Sequence, residues 1–220
     1  MGIYIEALIL YILLFFLNTA SAQFSVTTEL VKILIYYIPS IGLIWYLMYR
    51  AKELELAANG ELKKLFSLTE LLNIKPGKND LISALLALPC LLTTGFLITW
   101  ISAACGNTAQ LTLQTPSTAA QWIILFISCI LSAYLEESYF RFYLLSKRKA
   151  MNLNIPGIII LSVSLFSVCH IYGGPWSFLN AAISGAVLCF IFIKYNSIHG
   201  IAIAHGLYNI CAYILYAITN

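Results

Sequence analysis

The sequence predicts an all-α polytopic membrane protein, a bundle of about seven transmembrane helices with one amphipathic cytoplasmic segment. Three observations predict it. Of 220 residues, 61% are hydrophobic and only 10% charged, whereas a soluble domain carries about a quarter charged residues. Seven apolar stretches approach the ~20 residues that a spanning helix needs. Apart from Lys32 and the intramembrane Arg141, Lys and Arg fall in alternate loops or at a span end beside one, as the positive-inside rule requires.

The apolar stretches fall at roughly 3–17, 30–49, 81–104, 120–145, 155–172, 177–195 and 198–218. They are too long and too continuously apolar for barrel strands, so helices are expected, since helices satisfy every backbone polar group internally. The first is short, and it has a second interpretation. Ala20-Ser21-Ala22 resembles a signal-peptidase site, although no Lys or Arg precedes it and Glu6 does. The region 50–80 carries Arg50, Lys52, Lys63, Lys64, Lys75 and Lys78, and the loop 146–154 carries Lys147, Arg148 and Lys149. Lys194 closes the sixth span. The segments 18–29, 105–119 and 173–176 contain neither Lys nor Arg. Threading seven spans puts all three basic regions on one side, which predicts a cytoplasmic N-terminus and an external C-terminus in the cell membrane. Lys32, near the outer end of the second span, is expected to snorkel to the headgroups. Within 50–80, Leu62, Leu65, Phe66 and Leu72 recur near helical spacing between Lys63, Lys64 and Glu70, as in an interfacial amphipathic helix. Lys75-Pro76-Gly77-Lys78 ends it. The chain reads as one membrane domain, 1–220.

Composition also excludes some functions. The net charge of +3 is small and the basic residues form no stripe, so no nucleic-acid partner is expected. The six cysteines, Cys90, Cys105, Cys129, Cys169, Cys189 and Cys211, form no CxxC pair and read as small buried apolar residues. Trp45, Trp100, Trp122 and Trp176 lie near span ends and read as an interfacial belt. His199 reads as a packing residue and Glu6 as an interfacial one. Gly173-Gly174-Pro175-Trp176 reads as a tight turn, and Asn180 as a polar residue facing the bundle interior.

Ionisable groups inside a bilayer cost ~2.5–3.5 kcal/mol each even on the lenient insertion scale. The fourth span nevertheless carries Glu136, Glu137 and Arg141. Glu137 and Arg141 are four apart and share a helix face, so they can pair. Glu136 points ~100° away and needs another polar partner. The fifth span offers His170. The seventh offers His205 and Asn209, four apart on one face, with Gly206 beside them for close helix approach. At a rise of ~1.5 Å per residue, Glu136 lies ~16 Å, His170 ~22 Å, His205 ~10 Å and Asn209 ~16 Å from the cytoplasmic boundary or span start. The four bracket one level near the bilayer middle. Burial makes a carboxylate a stronger base, and His and Asn can hold a water or donate to an oxyanion. This inventory suits attack of water on an amide. Ser138 and Cys169 are not placed as nucleophiles. Glu136, His170 and His205 would also make a zinc ligand set, without the HExxH spacing of common zincins.

Glu136-Glu137-xxx-Arg141, Phe166-xxx-His170 and His205-xxx-Asn209 resemble, in residue type and order, the motifs of the CAAX prenyl protease and bacteriocin-processing (CPBP, or Abi) family. The resemblance covers about residues 120–215, and it implies a membrane-embedded endopeptidase. It implies that Glu136 activates water with help from His170, that His205 and Asn209 form the oxyanion site, and that Glu137 and Arg141 support the first carboxylate. Family members are called metalloproteases, yet the same residues fit a glutamate-and-histidine mechanism without metal. The latter is favoured here, with Zn2+ the alternative. The implied substrate is a peptide, such as a bacteriocin or signalling precursor, or a membrane protein. A catalytically silent regulatory membrane partner, acting in bacteriocin immunity or on a sensor kinase, is the second functional class. A proton-coupled transporter is the third, and the repeat symmetry it predicts is absent from the sequence.

Overall fold

A computed structural model describes residues 2–16, 25–58, 77–106 and 114–219. Seven helical units run through them, one for each expected span. Helix α1 is Gly2–Tyr11 and continues as a π-helical turn, Ile12–Phe16. Helix α2 comprises Val26–Val31, a π-helical Lys32–Tyr37 and Ile38–Ala58. Helix α3 is Lys78–Ala104. Helix α4 comprises Ala119–Glu137, a π-helical Ser138–Tyr143 and Leu144–Ser146. Helices α5, α6 and α7 are Ile155–Val168, Gly174–Tyr195 and Ile198–Thr219. Five of the seven are long and apolar enough to cross a membrane, while α1 and α5 are shorter apolar helices. The protein is therefore a multi-pass, all-helical membrane protein. Residues 59–76, which hold most of the expected amphipathic segment, and 20–22, the expected cleavage site, lie outside the described residues.

Local sequence sets the helix ends. Thr118 and Gln121 form a reciprocal capping box at the start of α4. Asn154 accepts from Gly157 N at 2.8 Å ahead of α5, where Pro156 fills a first-turn position. The Asp80 carboxylate caps α3 through Gly77 N at 2.6 Å. Asn196, in the left-handed region at φ 49°, ends α6. The Gly173–Pro175 turn forms as expected: Gly174 takes φ +85° and Pro175 enters α6.

Large apolar side chains such as Ile35, Leu85, Phe96 and Ile160 face outward, as helices in lipid allow. Inside, close approach and hydroxyl-to-carbonyl bonds join the helices. α7 packs on α3 and α4, α3 on α6, and α5 on α6. A Cβ on Gly206 would stand 2.7 Å from the Ile130 side chain and 2.9 Å from its Cα, so this glycine brings α7 against α4. Gly200 does the same against α3 at Asp80 and Ser83. Helix α1 is held by tyrosines. Tyr11 donates to the Leu165 carbonyl at 2.8 Å, Tyr139 to Ala7 at 2.7 Å and Tyr4 to Met151 at 2.5 Å. Ala7, Leu10, Tyr11 and Leu14 pack into a core with Tyr139, Phe140, Tyr143 and Phe166. A second core joins Ala87, Leu91, Leu188, Ile201 and Ala204.

Several expectations are corrected. Trp45 is not a belt residue: its indole donates to Ser138 Oγ at 2.9 Å, because a mid-bundle hydroxyl offers a partner that lipid does not. Lys32 pairs with Glu29 at 2.7 Å, and Glu29 also accepts from Ser128 at 2.9 Å. All six cysteines are free, but Cys90 and Cys105 are exposed rather than buried. Glu6 accepts from Tyr143 at 2.7 Å, which ties α1 to the basic end of α4. His199 packs as expected, bonded to Tyr134 at 2.9 Å and edge-on to Trp45.

Candidate functional site

The site starts at a change of helical pitch. Helix α4 is α-helical through Glu137 and π-helical from Ser138 to Tyr143. Such wide turns are rare and often mark functional positions. They leave carbonyls needing outside donors, and Ser162 of α5 donates to Phe140 O at 2.7 Å. The result is that Glu137, Ser138, Tyr139, Phe140 and Arg141 are all buried at the bundle centre.

Glu137 is the hub. Its Oε1 accepts from Arg141 Nη1 at 3.1 Å and from His205 Nδ1 at 2.9 Å. Arg141, fully buried, also donates to the Gly185 carbonyl at 3.2 Å and lies 4.4 Å from the Phe166 ring centre. A buried ion pair needs such extra partners to offset the desolvation of both charges. His205 then reaches the other carboxylate with its second nitrogen, Nε2 standing 3.8 Å from Glu136 Oε2. Glu136 Oε2 is buried and has no hydrogen-bond partner among the described residues.

The sequence placed Glu137 with Arg141 and looked for a distant partner for Glu136. The Glu137–Arg141 pair forms, and the distant group facing Glu136 is His205, which is bonded to Glu137 and stands 3.8 Å from Glu136. His205 lies between the two glutamates. His170 is close without joining this chain. Its Nδ1 meets the Phe166 carbonyl at 2.9 Å, closing the last turn of α5, and its ring packs 4.7 Å from Phe166. Phe166 also meets His205 edge-on at 5.9 Å. Asn209 is half-buried one turn beyond His205 and makes no hydrogen bond among the described residues.

The metal alternative required Glu136, His170 and His205 together. Among the described residues no three His, Cys, Asp or Glu side chains are grouped to hold a metal ion. His170 and His205 each hold a protein acceptor on Nδ1, which leaves Nε2 of each free, so it is the separation of the three groups that fails. This donor set does not fit a three-ligand site.

Three contributors were not legible as site residues. Gly185 supplies a carbonyl to Arg141, and a Cβ there would meet Phe166 at 3.0 Å and Arg141 at 3.3 Å. Its only sequence signal is a glycine inside an apolar helix. Ser138 and Trp45 form a bond across 93 residues, which spacing on one helix cannot reveal.

Fold and site together define a multi-pass helical membrane protein with a buried Glu/Arg/His centre. Residues 118–211 match the model of the Rce1-like family, described as type II CAAX prenyl endopeptidase Rce1-like. The matched stretch, just under half of the chain, holds α4 through most of α7 and all three motifs. That match agrees with the resemblance of the three motifs, and it supports an intramembrane endopeptidase in general. No curated protein and no solved structure matches the chain.

Proposed function

We propose that the chain hydrolyses a peptide bond of a peptide or membrane-protein substrate with a water held between Glu136 and His205. The observation that carries this is the 3.8 Å separation of Glu136 Oε2 from His205 Nε2, with Glu137 and Arg141 behind the imidazole. In the neutral imidazole that donates Nδ1–H to Glu137, Nε2 is left as an acceptor. Glu136 Oε2 is an acceptor too. One water can donate a hydrogen to each, leaving a lone pair free for a carbonyl carbon. On attack, the water proton passes to Glu136 or His205 and then to the departing amine. The products are a carboxylate and an amine, and no covalent enzyme intermediate forms. Glu137 orients His205 as a triad carboxylate orients its histidine. Asn209, on the His205 face, is assigned to the developing oxyanion, and His170 to the opposite wall. The basic ends of α2, α4 and α6 are assigned to the cytoplasm, and processing of a bacteriocin or signalling precursor is the proposed context.

The test is cleavage of internally quenched apolar peptides, with and without a farnesyl group, by the full chain in liposomes. Wild type cleaves, and Glu136→Ala and His205→Ala, still folded, lose at least ~100-fold, the order of a general base. Normal cleavage by both variants sinks the mechanism.

A further inference from the structure

A second polar group lies beside the Glu/Arg/His centre, on α6 and α7. Asn180 Nδ2 donates to Tyr208 OH at 3.0 Å. Asn180 Oδ1 is buried and has no hydrogen-bond partner among the described residues, and neither does Ser184 Oγ. Asn180 and Ser184 are four apart and so share one face of α6. Ser184 adjoins Gly185, whose carbonyl takes Arg141, and Tyr208 is one turn from His205. Room for the Tyr208 hydroxyl comes from α3, where a Cβ on Gly95 would stand 2.6 Å from it. Arg141 Nε and Glu137 Oε2 are likewise buried and unpartnered among the described residues. The polar atoms thus run from Asn180 and Tyr208, past Ser184, to Arg141, Glu137 and His205.

These four atoms and Glu136 Oε2, all buried without partners among the described residues, cannot be left so in a bilayer, where each costs on the order of 1–3 kcal/mol. Ser184 is 5% exposed, which admits no peptide segment. A ligand that both donates and accepts, and is small enough to enter, is water. We propose that Asn180, Ser184 and Tyr208 form a buried water-binding site that supplies the Glu136/His205 centre through the α6–α7 interface. Asn180 lies in the second turn of α6, toward the helix end opposite Lys194. The supply role rests on the hydrolytic reading of the centre, whereas the site itself does not.

The experiment is radiolytic hydroxyl labelling of the full chain in nanodiscs, read by mass spectrometry, because radicals arise where water is bound. Tyr139 and Tyr143 are fully buried controls. Tyr208 is expected to be oxidised about tenfold faster than either, as a side chain touching ordered water. Asn180→Leu should remove most of that excess, and Ser184→Ala serves if the leucine variant fails to fold. In the cleavage assay the same variants should lower kcat about tenfold with KM within about twofold, because water rather than substrate binding is affected. Tyr208 labelling no faster than Tyr139 overturns the water site and leaves the peptidase proposal standing. Fast Tyr208 labelling with unchanged kcat in both variants overturns the supply role.

Discussion

Replacing Arg141 by methionine removes three interactions at once. The variant loses the 3.1 Å pair to Glu137, the 3.2 Å bond to the Gly185 carbonyl and the stacking on Phe166. Breaking a fully buried pair by deleting one partner typically costs ~3–5 kcal/mol, since the remaining charge is stranded. His205 lies 2.9 Å from the same Glu137 oxygen and can neutralise part of that charge, and methionine fills much of the space under Phe166. The lower end, about 3 kcal/mol, is therefore expected, or roughly a hundredfold in the folding equilibrium. Detergent-driven unfolding in mixed micelles, followed by tryptophan fluorescence, measures it. The control is Glu137→Leu with Arg141→Met, which removes both charges and should be no less stable than Arg141→Met alone. A single variant within ~0.5 kcal/mol of wild type, the range of ordinary surface changes, would refute the buried pair. So would a double variant showing simple addition of the two losses.

Three other outcomes follow from close approaches and hydroxyl bonds. Gly206→Val should push α7 off Ile130 and Cys129, costing about 1–3 kcal/mol, with cleavage falling because His205 moves from Glu137; retained thermal stability would contradict the 2.7 Å approach. Gly200→Ala should lower the unfolding temperature through overlap with the Asp80 carbonyl, which backbone cannot yield cheaply; an unchanged temperature would mean that α3 and α7 are farther apart. Tyr11→Phe should cost about 1 kcal/mol by deleting the hydroxyl that bonds the Leu165 carbonyl, as measured by the same unfolding assay. Together these separate the α4–α7, α3–α7 and α1–α5 contacts.

Much of this was legible in the sequence, for identifiable reasons. A spanning helix must be apolar along its whole length, so seven units could be counted directly, and the first stretch was recognisable as short; that α5 is also short was not. The Glu137–Arg141 pair followed from spacing on one helix and survives the π-helical turn that begins at Ser138. The partner of His205 was not legible. Spacing assigns a face on its own helix but not the register between two helices. Crossing at Gly206 brings His205 to Glu137 first and to Glu136 second. The same limit hid Arg141 to Gly185 and Trp45 to Ser138, where the acceptors are a backbone carbonyl and a hydroxyl that carry no charge signal. His170 was expected to share the centre, yet at the end of α5 it caps its own helix, because the last-turn carbonyls of a helix need donors.

The most direct measurement compares Glu136→Gln with Glu137→Gln in one cleavage and unfolding experiment. Both substitutions keep size and shape and remove a charge. Glu136 Oε2 holds no protein hydrogen bond, whereas Glu137 Oε1 holds Arg141 and His205. Glu136→Gln should therefore retain wild-type stability and lose cleavage by ~100-fold or more, as for a general base. Glu137→Gln should lose stability as well as activity. Full cleavage by a folded Glu136→Gln variant would contradict the assignment of Glu136 as the group that activates water.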